Sequence, residues 1–301
     1  MTPDISFTHL LNPFPARPGS EHAVASRVTW QTIRAAHAVA IEQGVPVTLR
    51  SVVLPGDEGA VEAPCTSIVH LARTVADVAD LKPKRPLPLI GDLLKLGAQG
   101  VASSHIVFSN MDISVQRNFY VALRDRVASL GAEVPFTLAR INIDASLADA
   151  PLEKLYAAPG SLGHGYDCFV IPRALIERLD LGDSCIGAPH FDQLLYMALD
   201  VLTAHQVKSL NHERLTFHLG NDIAWSAMLD YVEHNLGEAL AAIERMKQVY
   251  PVKPDSVFDR LDKGHFRRNA RLSSRMLRKV RRIPGFGTFV LGVKRALGRQ
   301  Y

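Results

Sequence analysis

The sequence lacks the features that define several large classes of protein. Its 301 residues include three cysteines, too few for a disulfide framework, and no Cys-X-X-Cys pair of the kind that binds zinc. No apolar run reaches the roughly 18 residues of a transmembrane helix. The first residues show no basic region followed by an apolar core, as a secretory signal would. We therefore predict a globular protein of a reducing compartment.

Three widespread fingerprints are also missing. The chain has no Gly-X-Gly-X-X-Gly after a strand, no Gly-X-X-X-X-Gly-Lys-Ser/Thr and no Gly-X-Ser-X-Gly. The first absence counts against a dinucleotide-dependent oxidoreductase, and the second counts against a P-loop nucleotidase. The third counts against an α/β-hydrolase.

Acidic residues are absent from residues 263–301. This segment holds twelve of the 34 Lys and Arg residues, which leaves 22 basic against 30 acidic residues, a net charge of −8, in the rest of the chain. Its arginines recur at helical intervals and precede an apolar run with Phe286 and Phe289. A solvated face and a nucleic-acid site are the alternatives. Attachment to an anionic membrane fits better, because basic and apolar segments adjoin and no aromatic residues are interleaved with the arginines.

What the chain does contain is an alternation of strands and helices through its first half. Apolar runs predict strands at residues 5–11, 45–54, 106–109, 134–143 and 168–171, and a strand-like stretch at 207–219. Helical patterns cover 21–43, 68–78, 89–97, 116–130, 191–201 and 222–246. The alternation predicts an α/β protein in which helices flank a layered sheet.

The run from Ile106 to Ile113 is the most informative stretch. Its first residues are apolar and β-branched or aromatic, as in a buried strand, but it ends in Ser-Asn-Met-Asp, a mostly polar sequence that is unusual in a packed strand. If the chain stays extended, Asn110 and Asp112 point to one side. Ligands bind at the carboxyl ends of strands in open α/β sheets, which favours a site here. Asp112 as the cap of a helix near Gln116 is an equal alternative.

Several short motifs, in this order, resemble those of GT-A-type glycosyltransferases and of bacterial and plant glycosyltransferase-like proteins. The likeness covers about residues 5–235. Its pieces are Asn12-Pro13-Phe14, Leu87-Pro88-Leu89-Ile90, Asn110-Met111-Asp112, residues 165–173, Ile186-Gly187-Ala188-Pro189 with Phe191-Asp192, and residues 216–222 with Trp225.

The resemblance implies a GT-A-like, Rossmann-like mixed sheet and a nucleotide-diphospho-sugar donor. It places Asn12, Asn110, Asp112 and Arg140 at the donor site. In the family an Asp-X-Asp motif usually stands where this chain has Asn110-Met111-Asp112, so one anion is missing here. A late histidine often completes the family's metal site, which assigns Asp112 and His218 to Mn²⁺ or Mg²⁺ together with diphosphate oxygens.

The same resemblance assigns the acceptor side. In inverting enzymes of this type, a carboxylate at about the position that Asp192 has here deprotonates the acceptor hydroxyl. Asp192 is therefore the first candidate for the general base. Asp167 is the second candidate, or a ligand of acceptor hydroxyls. From spacing alone, Asp192 reads as a first-turn acid favoured by the helix dipole. His212 and His218 share one face if residues 207–219 form an unbroken strand.

We therefore expect a catalytic domain at residues 1–250 and a basic helical tail at residues 251–301. The expected activity is transfer of a sugar to a hydroxyl of a glycan or glycolipid, such as a cell-envelope polysaccharide precursor. The expected location is the cytoplasm, peripherally on the inner membrane face. The alternative is a non-catalytic module that binds a nucleotide or glycan, or is recruited to the membrane.

Overall fold

The computed structural model describes residues 5–65, 67–163, 165–220 and 228–270. The chain forms two compact units. The first contains residues up to Ala72 with Gly91–Leu179 and Leu202–Asn221, and the second contains Arg73–Ile90, Asp180–Val201 and residues from Asp222 onward. The observed architecture is the predicted mixed α/β fold.

The first unit is built on a seven-stranded mixed sheet in the order β10-β6-β9-β4-β1-β2-β3. The strands are β1 (Phe7–Leu11), β2 (Val47–Val53), β3 (Ser67–His70), β4 (His105–Ser109), β6 (Phe136–Leu138), β9 (Cys168–Pro172) and β10 (Lys208–Ser209). Strands β1, β2, β3 and β4 run parallel, and β9 is antiparallel to its neighbours β4 and β6. Every residue of β1, β4 and β9 is buried, so both faces of these mainly apolar strands are covered.

A second, four-stranded sheet of the same unit has the order β5-β11-β7-β8. Its strands are β5 (Ser114–Val115), β7 (Ile141–Ile143), β8 (Gly160–Leu162) and β11 (Thr216–Leu219). In the parallel pair of β7 and β11, Asn142 lies opposite His218. This register brings the polar residues of two neighbouring short strands to the same level.

The described helices of the first unit are α1 (Glu21–Glu42), α3 (Ile90–Ala98, whose first residue belongs to the second unit), α4 (Phe119–Leu130) and α5 (Leu152–Ala157). As predicted, Ser20 caps α1 by accepting a hydrogen bond from the Ala23 N–H, and Gly44 with φ +64° follows its end. Trp30 of α1 and Tyr120 of α4 enter the main hydrophobic core with side chains from β1, β4, β6 and β9.

The described part of the second unit is mainly helical. It contains α2 (Val75–Val78), α6 (Phe191–Leu202), α7 (Leu229–Val249), α8 (Val257–Leu261) and a π-helical turn at Asp262–Phe266. Its core joins Val75, Leu89, Cys185 and Tyr231. The predicted helix at 191–201 is confirmed. The predicted helix at 222–246 is observed from Leu229, and residues 221–227 lie outside the described part.

Three sequence predictions of secondary structure are wrong. Residues 68–78 are not one helix, because β3 pairs with β2 and only Val75–Val78 is helical. Residues 134–143 are not one strand, because the chain leaves β6 and enters β7 of the other sheet, with Arg140 between them. Residues 207–219 are interrupted by a 3₁₀ turn at Asn211–Glu213.

The predicted basic tail is only partly described. Residues 257–266 are helical, and Phe258 and Phe266 are completely buried. Residues 271–301, with most of the basic and apolar residues assigned to the membrane, lie outside the described part. Among the helices that the structure does describe, none has the length and hydropathy of a membrane span. The predicted domain boundary at residue 250 stays a prediction.

Candidate functional site

Polar residues gather where β1 and β4 end and β9 begins. In the sheet register Leu10 lies opposite Phe108, and Ser109 lies opposite Cys168. Asn12 and Asn110 therefore follow neighbouring parallel strands at the same level, and Asp167 enters β9 beside Asn110. The Asn12 side-chain amide donates to the Val52 carbonyl at 2.6 Å, which ties the end of β1 to β2.

Asp112 lies in a turn that follows β4. The Ile113 N–H donates to the Asn110 carbonyl at 3.1 Å, so the chain is not extended here. The premise that Asn110 and Asp112 share one side of a strand is therefore wrong. The alternative role of Asp112 as a helix cap is wrong too, because α4 begins at Phe119 with Asn118 in the cap position.

The turn places Asp112 against His218 of β11. The distance from Asp112 Oδ2 to His218 Nε2 is 3.5 Å, and the two side chains are 21% and 3% exposed. His218 Nδ1 donates to the Gly220 carbonyl at 3.1 Å. Because a carbonyl only accepts, Nδ1 keeps its proton and Nε2 is the nitrogen available to a proton or a metal.

The electrostatics of this pair favour its charged form. Burial raises the pKa of Asp112, but the hydrogen bond and charge of His218, with help from Arg140 and His22, leave that pKa below its ordinary value. Burial lowers the pKa of His218, but Asp112 outweighs burial and raises the pKa above its ordinary value. Asp112 Oδ1 is buried and has no hydrogen-bond partner among the described residues.

Arg140 and Asp167 form a second buried pair beside the first. Arg140 Nη1 donates to Asp167 Oδ1 at 2.6 Å, and the Arg140 backbone N–H donates to Asp167 Oδ2 at 3.1 Å. Arg140 Nε donates to Asn142 Oδ1 at 3.0 Å. Burial raises the pKa of Asp167, and Arg140 offsets only part of this effect. Both carboxylate oxygens of Asp167 are therefore engaged in holding Arg140.

Two glycines, one in β8 and one just after it, let this part of the chain pack closely against β7 and Arg140. The Gly163 N–H donates to the Arg140 carbonyl at 2.8 Å, and a Cβ at Gly163 would lie 2.8 Å from Arg140 Cγ. A Cβ at Gly160 would lie 2.5 Å from the Asn142 carbonyl oxygen. Only glycine lets the backbone come this close to β7 and to the Arg140 side chain.

Asp192 belongs to the second unit. It lies in the first turn of α6, is partly exposed, and accepts a hydrogen bond from Gln193 Nε2 at 2.9 Å. His190, two residues earlier, is buried and has a φ of +86°. The assignment of Asp192 as general base stays a prediction.

The predicted metal ligands fit a divalent cation in part. Asp112 offers an unpartnered buried oxygen and His218 offers Nε2, a donor set that suits Mn²⁺ and, through the oxygen, Mg²⁺. Within the described residues, no group of three His, Cys, Asp or Glu side chains is arranged to hold a metal. A cation on Asp112 and His218 would therefore take its remaining ligands from water or from the substrate.

Five of the predicted residues lie close together in the first unit: Asn110, Asp112, Arg140, Asp167 and His218. Asn12 lies at the same edge of the sheet. His212 lies in the 3₁₀ turn and is exposed, so it does not share a strand face with His218. Sequence reasoning missed Asn142. Its signal was an amide between two isoleucines, two residues after Arg140.

Comparison with known proteins gives a result at the level of the fold. No protein-family model matches the chain, and no curated protein matches it significantly. Solved structures do match. Staphylococcus aureus TarS 1–349 in complex with UDP-GlcNAc has a TM-score of 0.52 at 10% identity, over 90% of this chain and 76% of that one. Mycobacterium tuberculosis glucosyl-3-phosphoglycerate synthase with Mn²⁺, UDP and phosphoglyceric acid has a TM-score of 0.46 at 15% identity, over 78% of each chain.

The match to TarS establishes a GT-A-type fold for this chain. The resemblance to nucleotide-sugar glycosyltransferases that the motifs indicated is thereby confirmed at the level of the fold.

Proposed function

We propose that this protein transfers a sugar from a nucleotide-diphospho-sugar to a hydroxyl group of a glycan or glycolipid. The observation that carries the proposal is the Asp112–His218 pair, with its unpartnered carboxylate oxygen, after the central strand β4 of a GT-A-type fold. This position is where ligands of open α/β sheets bind. TarS, which shares the fold, was crystallised with a nucleotide-sugar.

The residues of the first unit suit the donor diphosphate. Asp112 and His218 would hold Mn²⁺ or Mg²⁺, and the cation would supply neutralisation of the negative charge on the leaving nucleoside diphosphate. Arg140 supplies a permanent positive charge that Asp167 and Asn142 hold in place. Asn12 and Asn110 bring amide groups to the same sheet edge. The Asn12 amide nitrogen already donates a hydrogen bond to the Val52 carbonyl.

Asp192 is the proposed general base of the second unit. An ionised carboxylate takes the proton from the acceptor hydroxyl as the new bond to the anomeric carbon forms and the bond to the diphosphate breaks. This role implies inversion at the anomeric carbon. Asp167 is the weaker candidate for this role, because both of its oxygens already accept hydrogen bonds from Arg140.

A non-catalytic nucleotide- or glycan-binding module is the second candidate function. One observation favours it: residue 110 is Asn, so the turn after β4 carries one carboxylate where Asp-X-Asp would carry two. A single carboxylate and one imidazole bind a divalent cation less tightly than a set with two anions.

Turnover distinguishes the two candidates. The full chain is incubated with UDP- and GDP-linked sugars and Mn²⁺, and release of free nucleoside diphosphate is followed with and without glycan acceptors. We expect metal-dependent release for at least one donor, together with inverted stereochemistry of the product by NMR. Binding of a nucleotide-sugar without any release would favour the non-catalytic module.

The proposed location is the inner face of the cytoplasmic membrane. It rests on the twelve basic and no acidic residues of the segment 263–301, followed within that segment by apolar residues. Lipid-linked glycan precursors are acceptors that such a location would make accessible.

A further inference from the structure

The loop before α6 in the second unit is held by one buried side chain. Asn235 of α7 is completely buried. Its Oδ1 accepts from the Cys185 N–H at 2.9 Å, and its Nδ2 donates to the Cys185 and Pro189 carbonyls at 2.8 and 3.0 Å. A single amide thus fixes the two ends of the segment 185–189, which leads directly into α6.

His190 follows this loop in a strained conformation. Its φ of +86° lies in a region that residues with a Cβ rarely adopt, and its side chain is buried. Such strain persists only where the surrounding contacts impose it, and it is common at functional positions. The His190 carbonyl accepts from the Leu194 N–H at 3.0 Å, so this residue also begins the hydrogen bonding of α6.

The contact that holds the His190 side chain comes from the C-terminal segment. His190 Nδ1 lies 3.0 Å from His265 Nε2, and the ring of Phe266 lies 5.7 Å from the His190 ring. Burial, with a smaller contribution from His265, lowers the pKa of His190 to about 4. Burial also lowers the pKa of His265. Both rings are therefore neutral at pH 7, and one donates a single proton to the other.

A second contact ties the same segment to α6. The Phe258 N–H donates to Asp200 Oδ2 at 3.1 Å, and both residues are buried. The helical residues 257–266 thus bond to the residue that precedes α6 and to a residue near its end. These residues belong to the second unit.

We propose that His265 is a positioning residue for Asp192, acting through the hydrogen bond to His190. The inference rests on the proposed function, because Asp192 matters as the general base of that reaction. His190 stands two residues before Asp192, so its backbone angles set the direction in which the first turn of α6 presents the carboxylate. His265 locks those angles.

The test compares two substitutions at one position in the full chain. His265→Gln keeps a nitrogen near the position of Nε2, whereas His265→Ala removes it. We expect His265→Ala to lower kcat by on the order of 10- to 100-fold, as small misplacements of catalytic groups do, without changing KM for the donor. His265→Gln should recover most of the rate. The control is His212→Ala, at an exposed histidine of the first unit, which should change neither constant.

Hydrogen exchange supplies a readout that does not need turnover. Amides of the first turn of α6 should exchange faster in His265→Ala than in His265→Gln, with other helices unchanged. His190→Gly, which removes the imidazole but relieves the backbone strain, should show the same faster exchange without a lower melting temperature than His190→Ala.

The outcomes separate the two proposals. If the wild-type chain shows no turnover, the proposed function fails, and exchange in the first turn alone decides whether His265 positions α6. Unchanged kcat and unchanged exchange in His265→Ala would overturn the positioning role. A general loss of protection across both units in His265→Ala and His265→Gln alike would overturn it as well, since it would assign His265 to overall stability.

Discussion

At the scale of single residues, the candidate site depends on opposing effects on one carboxylate. Burial raises the pKa of Asp112, but the hydrogen bond and charge of His218, together with the charge of Arg140, outweigh burial and leave that pKa below its ordinary value. The partner charges come from β11 and from the connection between β6 and β7, so the fold and not the local sequence sets the charge of Asp112. The same argument holds for Arg140, whose conformation depends on Asp167 and Asn142.

His9 gives a prediction about acid stability. It lies completely buried in β1, with Tyr120 Oη and Ser109 Oγ each 2.9 Å from a ring nitrogen. Burial lowers the pKa of His9 to about 3. In the folded protein His9 therefore stays neutral at pH 5, whereas in the unfolded chain it binds a proton below about pH 6.5. The free energy of unfolding should fall as the pH drops below 6.5, by up to about 1.4 kcal/mol per pH unit from this residue.

Urea denaturation between about pH 5 and pH 7.5 measures this effect. His9→Gln should be less stable than the wild type at neutral pH, because it loses packing and hydrogen bonds, but it should lose less stability on acidification. Identical pH dependence of the two proteins would show that His9 is protonated in the folded state as well.

Some site residues could be recognised from the sequence and others could not. Asp112 stands out because a carboxylate after an apolar strand needs a partner. His218 could be recognised only through the family resemblance, and Arg140 through that resemblance and because it interrupts an apolar run. Asn142 stands between two isoleucines, but that break does not reveal its role, which comes from the register of β7 and β11 and therefore from contacts distant in sequence.

At the scale of elements, the sequence predicted long helices with clear capping residues well, but it did not predict several short strands. Ser20, Gly44 and 22 residues of consistent pattern define α1. Residues 68–78 carry an apolar pattern that fits a helix, yet pairing with β2 draws Ser67–His70 into the sheet. Tertiary pairing overrides local preference in short segments. Arg140, which interrupts an apolar run, marks the place where the chain changes sheets.

Strand β8 gives a prediction at this scale. A Cβ at Gly160 would lie 2.5 Å from the Asn142 carbonyl oxygen, a backbone atom that cannot rotate away. Gly160→Ala should therefore weaken the pairing of β7 with β8 and lower the free energy of unfolding by about 1–3 kcal/mol, the usual cost of overpacking. Donor affinity should fall too, because β7 carries Asn142, which holds Arg140.

Gly59→Ala is the matched control for this substitution. No atom lies within 4 Å of a Cβ at Gly59, and its φ is not in the left-handed region. It should leave the urea midpoint and donor affinity unchanged. A midpoint for Gly160→Ala equal to that of Gly59→Ala would contradict the close approach of β8 to β7.

At the scale of the whole molecule, charge is divided unevenly along the chain. The net charge of +4 combines −8 up to residue 262 with twelve basic residues beyond it. Some of these charges are already paired within the second unit. Lys263 binds Asp259 at 2.8 Å, and Arg267 binds Asp262 at 3.0 Å. The proposed membrane attachment therefore rests on Arg268 and on the basic residues beyond 270.

The full chain should co-sediment with vesicles that contain phosphatidylglycerol, and less so at high salt. Replacing Arg278, Lys279, Arg281 and Arg282 by Gln should weaken sedimentation at low salt without lowering the melting temperature. A chain shortened for this test must keep Phe258 and Phe266, because both are completely buried. Equal sedimentation of the Gln variant and the wild type would contradict the proposed membrane attachment.

The central claim, that Asp112 holds a divalent cation on a nucleoside diphosphate, is tested most directly by calorimetry. UDP and GDP are titrated into the wild type and into Asp112→Asn, each with and without Mn²⁺, and Asp125→Asn at an exposed helical position serves as the control. We expect Mn²⁺-dependent binding in the wild type and the control, and its loss in Asp112→Asn with an unchanged melting profile. Mn²⁺-dependent binding of equal strength in Asp112→Asn would contradict it.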